Sequence, residues 1–368
     1  MEQNQKTLII IITLGALAVI ALVLGLVLGL KSKDKDKDKE EPIIVEEPVD
    51  IMNNYSNTKE LEAKFKLKNP TTVNDGIEER IQNRLLTGFE NWNRGFKAWK
   101  AWGNILYTND SIYNVHGARL SLAHYQAAMD VSLQQADIQM GDFNNMLIVG
   151  NFCAIHYDFK SNNIKSKVME FVQFKEYGNE TYNDTRVVEG WGSTKDSSYY
   201  GLINFQGEDE RKKQEELNSF LLNYQLPLTN NLSEKYFIRF PSDNINDTDY
   251  KKIEEIILEG FDSWNKDISS YLDWVDKYFD KNATSSSLDE RERNMTQYKE
   301  EITELFKRET ITKLYFDNIL IRENWTAIHY RYRSFHKKDI TINFGDRMEF
   351  FKFEVKNGNY IIVANWIQ

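Results

Sequence analysis

The chain has 368 residues, enough for two ordinary domains once a tail is set aside. Its 56 acidic against 46 basic residues leave a net charge of −10, which argues against a nucleic-acid partner, because phosphate binding needs a concentrated basic surface. The single Cys153 rules out an intramolecular disulfide and any cysteine-based metal spacing, and its apolar setting in MLIVGNFCAIHYDF predicts a small buried residue.

From Leu8 to Leu30 the chain reads LIIIITLGALAVIALVLGLVLGL, without a charge. At about 1.5 Å per residue such a helix crosses a hydrocarbon core of about 30 Å. A cleaved signal peptide has an apolar stretch of about 7–15 residues ending at small residues. Here the run is longer, and Lys31 follows Leu30 directly. One retained membrane-spanning helix within residues 1–30 is therefore expected, followed by a charged spacer over 31–60 that opens KSKDKDKDKEEP. The lysines after the helix favour a cytoplasmic soluble part. Asn-x-Ser/Thr sequons at Asn54, Asn109, Asn179, Asn183, Asn231, Asn246, Asn282, Asn294 and Asn324 favour the opposite side. The expectation is an outward-facing, extracytoplasmic soluble part.

An internal repeat organises the rest. GFENWN at Gly88 recurs as GFDSWN at Gly260, 172 residues on (260 − 88). AIHY at Ala154 recurs at Ala327, MEF at Met169 recurs at Met348, and VVEGW at Val187 matches IVANW at Ile362. The order is kept throughout, and this signals duplication. Copy one, residues 61–206, opens with Asn74-Asp75 as helix N-cap residues. Ile77, Ile81, Leu85, Phe89, Trp92, Phe96 and Trp99 then form one apolar stripe. Leu120 to Gln135 predicts a second helix, and Met146–Phe159, Val168–Tyr177 and Thr185–Trp191 predict strands. Residues 207–233 are expected to connect the copies through a helix with a charged face. Copy two, residues 234–368, repeats the plan: Asn246-Asp247 as cap, a stripe through Ile253, Ile257, Phe261 and Trp264, a second helix over Leu288 to Arg308, and four strands. Asn357-Gly358 predicts a tight hairpin turn between the last two. Helices first and antiparallel strands after is an α+β order.

This pattern resembles the nuclear transport factor 2-like superfamily, and within it the SnoaL-like polyketide cyclase group. The resemblance rests on the helix–helix–sheet order and on VMEFVQF (Val168 to Phe174) followed by RVVEGWGSTKD (Arg186 to Asp196), where Glu189, Trp191 and Asp196 stand as the acid, Trp and downstream Asp of that group's closing hairpin. It implies two tandem cone-shaped domains, each with helices packed on a curved antiparallel sheet around a pocket. It also implies pairing through the sheets, here as an intrachain pseudo-dimer. The group contains isomerases, dehydratases and cyclases beside non-catalytic binding modules.

Five residues of copy one are candidates for chemistry. Asp110, Tyr113 and His116 lie in YTNDSIYNVHG, expected to be a loop at the mouth of the cup. An acid, a phenol and an imidazole there suit proton transfer on a carbonyl compound, or else form a polar turn. His156 shares a strand face with Phe152, Ala154 and Asp158, and His329 repeats it with Trp325, Ala327 and Arg331. It is either a pocket base or a histidine held within the sheet, and its repetition favours the latter. Glu189 shares a face with Val187 and Trp191, and a carboxylate among apolar neighbours would have a raised pKa. Copy two has no counterpart of His116 or Glu189, so the working cup is expected in the first domain. The expected function is binding of a small apolar ligand or a protein partner there, with a cyclase, isomerase or dehydratase as the alternative and a spacer role as a third. No cofactor and no metal are expected.

Overall fold

The computed structural model describes residues 58–67, 73–74, 76–115, 117–135, 138–161, 164–177, 184–194, 202–241, 247–287 and 291–368. The expected membrane helix over Leu8 to Leu30 lies outside the described residues. Among those described, no helix is long and apolar enough to cross a membrane.

The first half runs α1 (Thr58–Lys64), α2 (Ile77–Asn93), α3 (Phe96–Leu106), β1 (Tyr107–Val115), β2 (Ala118–Ser121), α4 (Leu122–Gln135), β3 (Ile138–Val149), β4 (Phe152–Ser161), β5 (Ile164–Tyr177) and β6 (Asp184–Thr194). After the connecting helix α5 (Glu208–Asn223) and the short α6 (Leu232–Lys235) come β7 (Ile238–Phe240), α7 (Thr248–Lys266), α8 (Ile268–Tyr278), β8 (Phe279–Ser286), β9 (Glu292–Asn294), α9 (Met295–Arg308), β10 (Glu309–Arg322), β11 (Trp325–His336), β12 (Thr341–Lys356) and β13 (Asn359–Ile367). The sheets are ordered β2-β1-β6-β5-β4-β3 and β7-β10-β11-β12-β13-β8-β9. Strand for strand the second repeats the first, with β7 added at one edge. Both halves have a helix pair against a wrapped sheet, the arrangement that the resemblance implies.

Local chemistry explains the boundaries. Asp247 caps α7, its carboxylate accepting from the N–H groups of Asp249 and Tyr250. In the first half the cap is Gly76, and Asn74 instead donates its own N–H to Glu78 at 2.8 Å. Gly95, at φ 110, breaks the stripe into α2 and α3, a conformation that a β-carbon disfavours. The second helix of copy two begins at Met295 rather than Leu288, because Asn294 and Gln297 form a capping box there. Asn357 and Gly358 both have positive φ, 52° and 80°, as a type I′ hairpin turn needs.

Two expectations are corrected. The sheets are mixed, with β1 parallel to β6, β8 to β13 and β7 to β10. The strand that leaves each helix pair reaches the closing strand through a long connection, not a hairpin, so it need not run antiparallel. The stretch expected as a loop at the cup mouth is strand β1, and FDKNATSSSLDE contributes β8. Both strands are rich in polar residues, some exposed (Asn109, Asp110) and some buried (Ser111, Ser285), and backbone pairing to a strand on each side holds them.

Each sheet wraps one face around a helix pair, giving two separate cores. The opposite faces of the two sheets meet in a third core containing Phe152, Ala154, Phe171 and Trp191 from one half and Trp325, Ala327, Met348 and Phe350 from the other. Ala154 and Ala327 are fully buried and let the sheets approach. Phe152 lies 5.6 Å from Phe240, and Trp191 lies 5.4 Å from His329, between ring centroids. At the margin Arg322 grips Glu78 with two hydrogen bonds, 2.7 and 2.5 Å.

Candidate functional site: the second cup

The repeat places one chemical frame in both cups. In the first, Asn93 closes α2 and clamps the backbone of Met140, donating to its carbonyl at 3.0 Å and accepting its N–H at 2.7 Å. In the second, Asn265 does the same to Lys313, at 2.8 and 2.9 Å. The strand register agrees, since Met140 pairs with Phe159 and Lys313 with Tyr332. Met140 and Lys313 are therefore equivalent positions, and the final Asn of GFENWN and GFDSWN is a strand clamp.

Both cups also carry a hydrogen-bonded Tyr–Glu pair. Tyr157 donates to Glu170 at 2.5 Å, and Tyr330 donates to Glu349 at 2.7 Å. These are the Tyr of AIHY and the Glu of MEF in each copy. Burial pushes the Glu170 carboxyl above its ordinary value, against hydrogen bonds from Tyr157 and Tyr113.

The cups differ in room. The first retains about 60 Å³, because the Tyr113 ring stacks on Tyr125 at 4.4 Å and occupies the interior. It fits only beside Gly190, where a β-carbon would stand 2.5 Å from the ring. In the second cup the equivalent of Tyr113 is Ser285, whose strand partner is Asn365 in place of Gly190. A cavity of about 650 Å³ is left, lined by Trp264, Tyr271, Ser285, Tyr298, Lys313, Tyr330, Arg347 and Glu349 among others. Exposed Glu300, Glu304 and Arg308 of α9 stand along its rim.

Lys313 is the unusual group. It is 6% exposed. Its Nζ lies 4.3 Å from the ring centre of Phe261, 4.7 Å from Trp264 and 5.0 Å from Tyr330. The nearest carboxylate oxygen, on Glu349, stands at 3.8 Å, beyond hydrogen-bond reach. Burial drives its pKa down to about 8, against the attraction of Glu349, with Arg347 adding to the fall. Burial also raises the Tyr330 and Tyr271 hydroxyls. The arrangement combines an apolar chamber, a readily deprotonated amine and an adjacent carboxylate–phenol pair.

Of the five candidate residues, the four that are described, Asp110, Tyr113, His156 and Glu189, do not share one cup. Tyr113 is in the first cup, as a plug. Asp110 is exposed on β1, its carboxyl held below the ordinary value by a hydrogen bond from the Thr108 side chain. His116 lies outside the described residues. His156 is buried on the opposite sheet face, 3.2 Å from the Asn145 amide and stacked at 6.2 Å on Phe350 of the other half. Strand alternation sends Tyr157 into the cup and His156 away from it. His329 likewise faces the other half, bonded to Asp346 at 2.7 Å. Glu189 also leaves the cup. A bulge between Val187 and Glu189 breaks the alternation, so Val187 joins the cup core, Trp191 joins the sheet-to-sheet core, and Glu189 pairs with Arg119 at 3.1 Å. Among the described residues no cluster of His, Cys, Asp and Glu is placed to hold a metal.

No family model and no curated protein matches the chain. Among solved structures it is similar to a ketosteroid isomerase-like protein from Erwinia carotovora (9% identity, TM-score 0.28, 33% of this chain and 95% of that one). A nuclear transport factor 2-like protein of unknown function from Exiguobacterium matches at 14% identity and TM-score 0.26, over 30% of this chain and 95% of its own. Another from Shewanella oneidensis matches at 11% identity and TM-score 0.26, over 33% and 98%.

Proposed function

We propose that this pair of nuclear transport factor 2-like cups binds a small, largely aromatic molecule in the second cup, with an anionic or carbonyl oxygen directed at Lys313 and Arg347. The observation that carries the reading is the plug: one frame, built twice, is filled by Tyr113 in the first half and left open at Ser285 in the second. A chamber of about 650 Å³ falls in the ordinary range for small-molecule sites, and it joins four aromatic side chains, Trp264, Tyr271, Tyr298 and Tyr330, to many charged groups, Lys313, Arg347 and Glu349 among them. The first cup, expected to be the working one, is its closed counterpart. Acid–base chemistry on a carbonyl substrate there lacks room, although Glu170 and two tyrosines are present.

The test is calorimetric titration of the full chain with 2-naphthoate, an aromatic carboxylate of suitable size. Binding to the native chain, lost when the second cup is plugged as the first is, supports the reading; binding that survives the plug removes it.

On the cell, the charge-free run over Leu8 to Leu30 supports a membrane tether for both cups. Asn109, Asn231, Asn282 and Asn294, the acceptors of four sequons, are exposed, which suits an extracytoplasmic side. Protease added to intact cells should release the cups. Full protection, lost on permeabilisation, would reverse the topology.

A further inference from the structure

We infer that Lys313 captures aldehydes and ketones covalently, as an imine, inside the second cup. The inference rests on the second cup being the ligand site and specifies the chemistry of that site. The fold does not need a lysine at this position, because its equivalent, Met140, is clamped by the same Asn in the same frame. A buried ammonium facing rings and lacking a hydrogen-bonded carboxylate costs stability, and such a cost persists where the group has work to do.

The surroundings suit amine chemistry. The rings of Phe261, Trp264 and Tyr330 surround Nζ, and Lys313 lines the chamber. Its lowered pKa of about 8 makes roughly a tenth of the amine neutral at pH 7, against a few parts in ten thousand for an ordinary lysine. The nitrogen lone pair adds to the carbonyl carbon, and the carbonyl oxygen becomes the hydroxyl of a carbinolamine. Glu349, 3.8 Å away and bonded to Tyr330, carries one proton from nitrogen to that oxygen to make the hydroxyl, then takes the second nitrogen proton and delivers it to the hydroxyl. Water leaves and the C=N bond forms. One carbonyl and one amine give one imine and one water, with no oxidant or reductant. The aromatic wall selects aryl or similarly flat carbonyl compounds, and Arg347 favours those carrying an acidic substituent.

The test incubates the full chain with 2-naphthaldehyde, reduces with borohydride and maps the naphthylmethyl label by peptide mass spectrometry. Lys313 should be labelled at least about tenfold more than any other lysine, and the plugged second cup should lose that label. Lys313→Arg should abolish it at this position. Labelling spread evenly over surface lysines, or unchanged by the plug, overturns the inference. If 2-naphthoate binds and Lys313 is not labelled, imine capture is wrong and the cup reading stands. If neither occurs, both fall.

Discussion

Ser285→Tyr combined with Asn365→Gly should weaken 2-naphthoate binding to the full chain by at least about 100-fold, equivalent to about 2.7 kcal/mol. The pair is needed because the two positions face each other across β8 and β13. In the first cup the ring at the equivalent place is accommodated only by Gly190, where a β-carbon would come within 2.5 Å of it. A tyrosine against Asn365 would therefore clash, and loss of binding could then reflect distortion. With Gly opposite, the new ring should stack on Tyr298 as Tyr113 does on Tyr125. The plug fills apolar space in a conformation the same fold already uses, so the thermal midpoint should stay within a few degrees of the native value. Calorimetry gives the affinity and a melting curve gives the fold. Unchanged affinity with the fold intact would mean that the ligand sits elsewhere.

The second large effect concerns stability. Lys313→Met should stabilise the protein by roughly 1–3 kcal/mol at pH 7.5. The lysine's folded pKa of about 8 lies below its ordinary 10.5, so between these values the unfolded chain binds more protons than the folded one. Stability therefore rises with pH across that window, as deprotonation relieves the buried charge. Above about pH 10 the trend turns over, because Tyr330 and Tyr271 remain protonated in the fold while unfolded tyrosines ionise. Urea denaturation from pH 7.5 to 10 should show a rise in the native chain and a nearly flat profile in Lys313→Met. Glu349 should tolerate the change, since Glu170 already sits near Met140 in the first cup with its carboxyl value raised. A variant less stable than the native chain at pH 7.5 would show that the Lys313–Glu349 attraction outweighs desolvation.

Packing was legible in the sequence because it is periodic and was duplicated. The stripe through Phe89 and Trp92, its repeat through Phe261 and Trp264, and the Asn357-Gly358 turn each follow from spacing or from the backbone freedom of one residue. The candidate site was not legible, for three local reasons. Alternation along β6 fails at the bulge before Glu189, and one extra residue exchanges the faces of everything after it. Strands β1 and β8 lack apolar alternation, so Tyr113 did not read as a ring aimed inward. His156 stands out in the sequence as a titratable residue, while the neighbouring Tyr157 and the Glu of MEF, repeated in both copies, are the groups facing the cups. Lys313 carries no motif. Its meaning comes from equivalence with Met140, which the Asn clamps and the strand register establish.

The most direct measurement is hydrogen–deuterium exchange of the full chain with and without saturating 2-naphthoate. Protection should concentrate in α9, β10 and β12, the elements that carry Tyr298, Lys313 and Glu349. Protection confined to α2, α3 and β1, around Tyr113 and Glu170, would contradict the assignment and return the working cup to the first half.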